Sequence, residues 1–181
     1  MVDKKLSSYD ALLEAGFLLF GKDKSASLAD VAAAAGVGRA TLHRHFTGRD
    51  DLMLALAKRA LEELETASNA ATENAPSYTD GLRLAMQAIL PLAHRHMFLA
   101  SERFDDPELA AWQAAQDRET HEAIDAAKAE GGLDPTLPTT WLATIYDNLI
   151  YAGWELIEAG EATPKQAANF AWRMFTQGAT K

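Results

Sequence analysis

The side chains best suited to contact a nucleic acid are concentrated in one short stretch of the chain. Within seven positions the sequence places two arginines, two histidines, a threonine and an alanine, namely Arg39, Ala40, Thr41, His43, Arg44 and His45. Positive and proton-donating groups bind phosphate oxygens and base edges. Their concentration on one short helix therefore suits a phosphate-lined groove.

The residues around this stretch have the spacing of a helix-turn-helix. A first short helix begins at Ser27, whose hydroxyl can cap it together with Asp30 three residues later, and a second runs from Arg39 to His45. The turn between them contains Gly36, and glycine adopts the backbone angle of such a turn at little cost. The stretch from Ser27 to Leu52 therefore predicts a DNA-binding unit.

Three carboxylates form the other group that could perform chemistry. Asp105, Asp106 and Glu108 resemble the acidic Mg²⁺ cluster of a helical enzyme. Asp106 followed by Pro107 is also the pattern of a helix cap with proline at the first helical position. The cap is the simpler interpretation, and the metal-dependent enzyme remains an alternative.

The histidines do not have the spacing of metal ligands. His43 and His45, like His94 and His96, are two residues apart. On a helix such positions point about 200° away from each other, so neither pair can chelate one ion. The sequence accordingly predicts no metal site and no cofactor.

Charge is distributed unevenly along the chain. The net charge is −9, yet residues 1–60 carry nine Lys and Arg against seven Asp and Glu, while residues 61–181 carry eight against nineteen. A slightly basic amino-terminal part and a strongly acidic remainder are expected when only the amino-terminal part binds a polyanion. The chain has no cysteine, and no apolar run is long enough to cross a bilayer. We expect a cytoplasmic protein with no membrane partner.

Helical periodicity dominates the sequence, and no run of alternating β-branched residues stands out. We therefore predict an all-α fold of about nine helices. Caps and breakers place the main ones at approximately 9–20, 27–36, 39–45, 48–69, 77–96, 107–131, 138–159 and 163–177.

The amino-terminal part resembles the TetR family of bacterial repressors. The resemblance covers about residues 8–56 and rests on SLADVA at 27–32, AGV at 35–37, ATL at 40–42, Phe46 and RDDL at 49–52. Positions 43 and 45 are usually aromatic in that family, whereas both are histidine in this chain.

The resemblance implies that the two parts of the chain have different functions. Residues 1–50 would form the three-helix DNA-binding domain and residues 51–181 a helical domain that binds a ligand and dimerises. In that family the third helix lies in the major groove, which assigns residues 39–41 and 43–45 to the groove. The resemblance assigns Ser27 and Arg49 to phosphate.

Two helices of the acidic part carry polar residues within an apolar face. Convergent polar groups in an apolar cleft are typical of a small-molecule pocket. The candidate effector-binding residues are Met86, Trp112, Gln116, Thr120, Trp141, Ile145 and Asn148. Alternatively, Gln116, Thr120 and Asn148 bond only to each other or to water.

The helix from Pro138 is apolar on its other side as well. A helix that is apolar around its whole circumference must be buried on every side. A second subunit could bury the side that its own chain leaves exposed. The candidate dimer residues are Leu142, Tyr146, Leu149, Ile150, Gly153, Ile157 and Trp172.

Together these observations favour one function. We expect a ligand-responsive repressor, not an enzyme, that binds a near-palindromic DNA operator as a homodimer and is released by a small apolar or amphipathic effector. The alternatives are the metal-dependent enzyme and a DNA-binding dimer without a ligand.

Overall fold

The computed structural model describes residues 6–92, 94, 95, 98, 99 and 104–179, and the secondary structure of these residues is helical throughout. The all-α prediction is therefore confirmed for this part of the chain. Eight α-helices and one 3₁₀ turn have both ends within it, and residues 94, 95, 98 and 99 are α-helical as well. The elements are α1 (Ser8–Phe20), α2 (Leu28–Ala34), α3 (Arg39–His45), α4 (Arg49–Thr72), α5 (Tyr78–Ile89), the turn Leu90–Leu92, α6 (Pro107–Ala129), α7 (Thr139–Glu158) and α8 (Pro164–Ala179).

Local signals set the bounds of α2 and α3. The Ser27 hydroxyl accepts a hydrogen bond from the Asp30 amide, and the Asp30 carboxylate accepts one from the Ser27 amide. This reciprocal capping box satisfies two amides that the first turn leaves unpaired. Gly36 then ends α2 with a φ of 67°, and the Val37 amide donates to the Ala32 carbonyl. These contacts form the Schellman motif that directs the chain into α3.

The first hydrophobic core lies among α1–α4. It contains fully buried leucines and aromatic rings, among them Leu13, Leu42, Phe46 and Leu56. Gly16 allows α1 and α4 to approach closely, because a Cβ at that position would lie 3.0 Å from a Leu56 methyl carbon. Helix α4 supplies buried residues to this core as far as Leu61. The core therefore extends beyond residue 50, where the sequence places the domain boundary.

The second core lies among α5–α8. Its most buried members include Met86, Ile124, Tyr146 and Phe175. The Tyr146 hydroxyl donates to the Leu82 carbonyl at 2.6 Å, so this phenol is both buried and satisfied. These contacts hold α7 against α5 and α8 within a single chain.

Helix α5 is shorter than the periodicity predicts. The predicted end at His96 is wrong, because the helix ends at Ile89 and continues as a 3₁₀ turn over Leu90–Leu92. Pro91 has no amide hydrogen to bond the preceding turn, so it interrupts the α-helical ladder. His96 itself lies outside the described residues.

Arg95 connects the two parts of the chain. Its guanidinium donates to Glu14 on α1 at 2.6 Å and to Glu63 on α4 at 2.7 Å. It also lies 3.8 Å from the centre of the Phe17 ring. Only 7% of the Arg95 side chain is exposed. The segment after α5 is thus fixed to both α1 and α4.

Candidate DNA interface and effector cavity

Helix α3 presents a polar face to solvent. Leu42 is buried and anchors the helix to the first core, whereas Arg39, Ala40, His43 and Arg44 are exposed and Thr41 is half-buried. The helix contains only seven residues, so these side chains form one compact surface. It combines two guanidinium groups, an imidazole and a hydroxyl, which can bind phosphates and base edges.

His45 points toward α1. Its Nε2 lies 2.8 Å from the Ser8 hydroxyl oxygen, and its ring meets the edge of Tyr9 with centroids 5.7 Å apart. The side chain is half-buried there. His45 therefore holds α3 against α1, and the predicted groove contact of His45 would require these contacts to change.

Arg49 and Ser27 are both engaged within the chain. The Arg49 guanidinium donates to the backbone carbonyls of Lys24 and Ala26 and lies 4.4 Å from the centre of the Phe20 ring. It thereby fixes the loop that leads into α2, and Ser27 caps that helix. The geometry gives these residues a positioning role, and their phosphate contacts stay a prediction.

A cavity of about 990 Å³ lies among α4, α5, α6 and α7. Trp112, Gln116 and Thr120 of α6 line it, and sequence reasoning selected these three residues. Apolar side chains from α4, including Leu61 and Leu64, complete the wall. A large apolar cleft with a few polar groups can bind a small organic molecule.

The other predicted effector residues do not line this cavity. Met86 is fully buried in the second core. On α7, Trp141 and Asn148 point outward, with Trp141 56% exposed, and Ile145 packs at the edge of the second core. The predicted pocket face of α7 therefore lies apart from this cavity, and its role in effector binding stays a prediction. The cavity instead meets Tyr146, Asp147 and Ile150.

Part of the predicted dimer face of α7 packs within the single chain. Leu142, Tyr146, Ile150 and Gly153 are buried there. At Gly153 a Cβ would lie 2.9 Å from a Leu90 methyl carbon, so this glycine serves contacts within the chain. The second core already covers these four residues, and their predicted role in a dimer would require that core to open.

The remaining dimer candidates lie at the margin of that core. They are half-buried and pack against its buried members, namely Leu149, Ile157 and Trp172. A different set of large apolar side chains is exposed on α7 and α8, namely Trp141, Tyr151, Phe170 and Met174. Of these four residues, the sequence analysis assigned only Trp141 to a site, the effector pocket.

Asp147 is the site residue that sequence reasoning missed. Its side chain is exposed to solvent and borders the cavity. The surrounding protein nevertheless displaces much of the bulk solvent and raises the pKa of Asp147 to about 6. The Asp117 carboxylate raises that pKa further, and His121 opposes the rise. No sequence signal singles out Asp147, because α7 is apolar around most of its circumference and periodicity does not choose the face that meets the core.

Comparison with known proteins identifies the family. The model of the bacterial regulatory proteins of the tetR family matches residues 12–56. The transcriptional repressor LfrR of Mycolicibacterium smegmatis is 36% identical over 157 residues, a match that covers 83% of this chain and 79% of LfrR. The chain belongs to the TetR family. It is accordingly a transcriptional repressor by family and not an enzyme.

Solved structures of the TetR family share its fold. LfrR from Mycobacterium smegmatis in complex with proflavine superposes with a TM-score of 0.80 at 29% identity, covering 96% of this chain and 97% of LfrR. AibR in complex with isovaleryl coenzyme A and operator DNA gives 0.80 at 18% identity, covering 94% and 98%. The second likeness concerns the fold alone.

Two of the three predicted carboxylates near α6 have structural partners in this TetR-family chain, and the third, Asp105, is exposed. Asp106 accepts a hydrogen bond from the Leu109 amide at 2.9 Å and caps α6. Glu108 pairs with Lys58 at 2.5 Å. Within the described part of the chain, no group of three or more acidic or histidine side chains could hold a metal ion. No helix described there is long and apolar enough to cross a membrane.

Proposed function

We propose that this TetR-family protein binds a near-palindromic operator as a homodimer and leaves it when a small apolar or amphipathic effector enters the cavity. Its place of action is the cytoplasm, where bacterial operator DNA lies. The observation that supports the proposal most directly is the exposed polar face of α3, defined by Arg39, Ala40, Thr41, His43 and Arg44.

The packing of α3 suits a reading helix. Leu42 and His45 attach one side to the first core and to α1, which leaves the opposite side open. Arg39 and Arg44 are exposed and have no ion pair or hydrogen bond with any residue the structure describes. Their guanidinium groups are available for bidentate contacts with a guanine or a phosphate.

A DNA selection assay on the purified protein tests this assignment. We expect enrichment of a near-palindrome, and Arg39→Gln should change base preference at a symmetric pair of positions. Losing a bidentate base contact costs about 1–3 kcal/mol of specific binding. Arg83→Gln is the matched control, because Arg83 lies on α5 and pairs with Asp80. Equal losses on selected and random DNA for Arg39→Gln would reject the groove assignment.

The cavity connects to the DNA-binding part through Trp112. This side chain lines the cavity and also packs against the first core, which includes α1 and α4. A molecule that displaces Trp112 would therefore act on the elements that hold α3. A ligand shifts a conformational equilibrium only if it binds one state better. We propose that the cavity is larger or better shaped in the state that does not bind DNA.

Closing the cavity tests the effector role. A panel of apolar and amphipathic compounds is screened for a rise in Tm, and a compound that raises it should lower operator affinity. Thr120→Trp fills the cavity and should abolish both effects. Ala114→Trp adds the same ring on the exposed side of α6 and should preserve them. A compound whose effects survive Thr120→Trp binds elsewhere.

The outer face of α7 and α8 is the proposed dimer interface. Phe170 and Met174 are 42% and 61% exposed on α8, and Trp141 and Tyr151 are exposed on α7. Apolar burial across a symmetric interface would cover these side chains. Phe170→Glu should shift the mass in light scattering toward that of a monomer. Leu18→Glu, on the exposed side of α1, is the control, and an unchanged mass for Phe170→Glu would exclude this face.

A further inference from the structure

The exposed sides of α7 and α8 have the spacing of a coiled-coil seam. Along α7, exposed side chains recur at alternating intervals of three and four residues, namely Trp141, Thr144, Asn148, Tyr151, Glu155 and Glu158. Helix α8 exposes a similar series, namely Gln166, Phe170, Arg173 and Gln177. Residues with this spacing form one stripe along a helix and can interdigitate with the side chains of a facing helix.

The two stripes are in register within the chain. The Tyr146 and Phe175 rings pack with centroids 5.5 Å apart, and a Cβ at Gly153 would lie 3.6 Å from the Cβ of Ala167. Residue numbers therefore rise along α7 as they fall along α8, so the two helices are antiparallel. This register arranges the exposed residues in four layers along the helix axes, namely Thr144 with Gln177, Asn148 with Arg173, Tyr151 with Phe170, and Glu155 with Gln166.

Opposite charges lie on either side of the aromatic layer formed by Tyr151 and Phe170. Arg173 lies one layer away in one direction, and its guanidinium is 6.0 Å from the centre of the Phe170 ring. Glu155 lies one layer away in the other direction. Both charged side chains are exposed, and neither has an ion pair or a side-chain hydrogen bond with any residue that the structure describes. At 1.5 Å per residue, both charges lie about 4.5–6 Å from the aromatic layer along the helix axis.

We propose that two copies of this chain pack about a two-fold axis that is perpendicular to α7 and α8 and passes through the aromatic layer, so that Arg173 pairs with Glu155 of the partner subunit. The inference rests on the proposed homodimer and specifies how its two copies are arranged.

The distribution of charge favours this axis over one that runs parallel to the helices. A perpendicular axis reverses the order of the layers, so the layer that holds Arg173 also holds the partner subunit's Glu155. A parallel axis would keep the order and place two arginines in one layer and two glutamates in another. Opposite charges at matched positions fix the register of an interface, whereas like charges oppose its formation.

Reversing one charge at a time tests this arrangement. Glu155→Arg would place two arginines in one layer, Arg173→Glu would place two glutamates there, and the two-fold axis repeats each repulsion. Each variant should raise the dimer dissociation constant, measured by analytical ultracentrifugation, at least about a hundredfold. The matched controls are Glu122→Arg and Arg118→Glu, which make the same changes of charge on the exposed side of α6 and should leave this constant unchanged.

Two combinations of the variants should restore the dimer. The double variant with Glu155→Arg and Arg173→Glu should form a homodimer, because each shared layer again holds one arginine and one glutamate. An equimolar mixture of the two single variants should form a heterodimer for the same reason. Restored association also shows that each single variant is folded.

The outcomes separate this inference from the proposed dimer face. With a parallel axis, each single variant would only exchange one like-charged layer for another, so unchanged dissociation constants overturn the pairing. Weakened single variants that the double variant does not restore overturn it as well. In either case the proposed dimer face stands if Phe170→Glu still gives a monomer. A monomeric parent protein, or a dimer that Phe170→Glu does not disrupt, overturns both the pairing and the face.

Discussion

Replacing Arg95 should measurably destabilise the protein. Arg95→Met retains most of the aliphatic packing and removes the guanidinium that joins Glu14, Glu63 and the Phe17 ring. The Arg95 side chain is 7% exposed, whereas Glu14 and Glu63 are 46% and 28% exposed. Both glutamates can rehydrate after the substitution, so the cost is smaller than for a fully buried pair.

The magnitude follows from these exposures. A charge-assisted hydrogen bond contributes about 1.5–3 kcal/mol when well shielded, and the exposure of the two glutamates reduces the pair of contacts to roughly 2 kcal/mol together. The contact with Phe17 adds about 0.5–1 kcal/mol. We expect a loss of about 2–3 kcal/mol, which for a chain of this size lowers Tm by about 5–10 °C.

Calorimetry at fixed protein concentration measures this loss, since a dimer melts at a temperature that depends on concentration. Arg83→Met is the control, because the exposed pair of Arg83 with Asp80 should leave Tm nearly unchanged. Arg95→Lys keeps the positive charge but lacks the planar guanidinium, so its Tm should lie between those of Arg95→Met and the parent protein. A Tm for Arg95→Met within about 2 °C of the parent protein would refute the reasoning.

Two further outcomes are expected. Arg49→Gln should lower both operator affinity and the Tm of the DNA-free protein, because Arg49 holds the loop before α2, whereas Arg44→Gln should lower affinity alone; an unchanged Tm for Arg49→Gln would contradict the positioning role. His43→Gln should lower operator affinity and leave the Tm of the DNA-free protein unchanged, because His43 is exposed on α3. His45→Gln should lower that Tm, because His45 contacts Ser8 and Tyr9 of α1; fluorescence anisotropy and calorimetry decide this.

The DNA-binding part was predictable because its signals are local. The Ser27–Asp30 capping box, the Gly36 turn and the bounds of α3 agree with the structure. Each depends on contacts between residues no more than five positions apart, and such contacts have recognisable sequence patterns. The sequence also identified Trp112, Gln116 and Thr120, because only one face of α6 is apolar.

A physical reason explains why the sequence did not predict the orientation of α7. The helix is apolar around most of its circumference, so periodicity does not choose which face meets the core. Asp147 and Asn148 are adjacent polar residues about 100° apart on the helix, and only packing against α5 and α8 decides that Asp147 meets the cavity. The role of Arg95 was missed because Glu14 is 81 positions away in sequence.

The continuity of α4 also constrains how this protein can be divided or recombined. This one helix of 24 residues supplies Leu52, Leu56 and Leu61 to the first core and continues along the cavity with Leu64 and Thr72. A fragment that ends at residue 50 would leave the apolar sides of α1 and α3 without cover. A fusion that joins the amino-terminal helices of one relative to the remainder of another would therefore have to transfer α4 as a unit, because this helix belongs both to the first core and to the cavity wall.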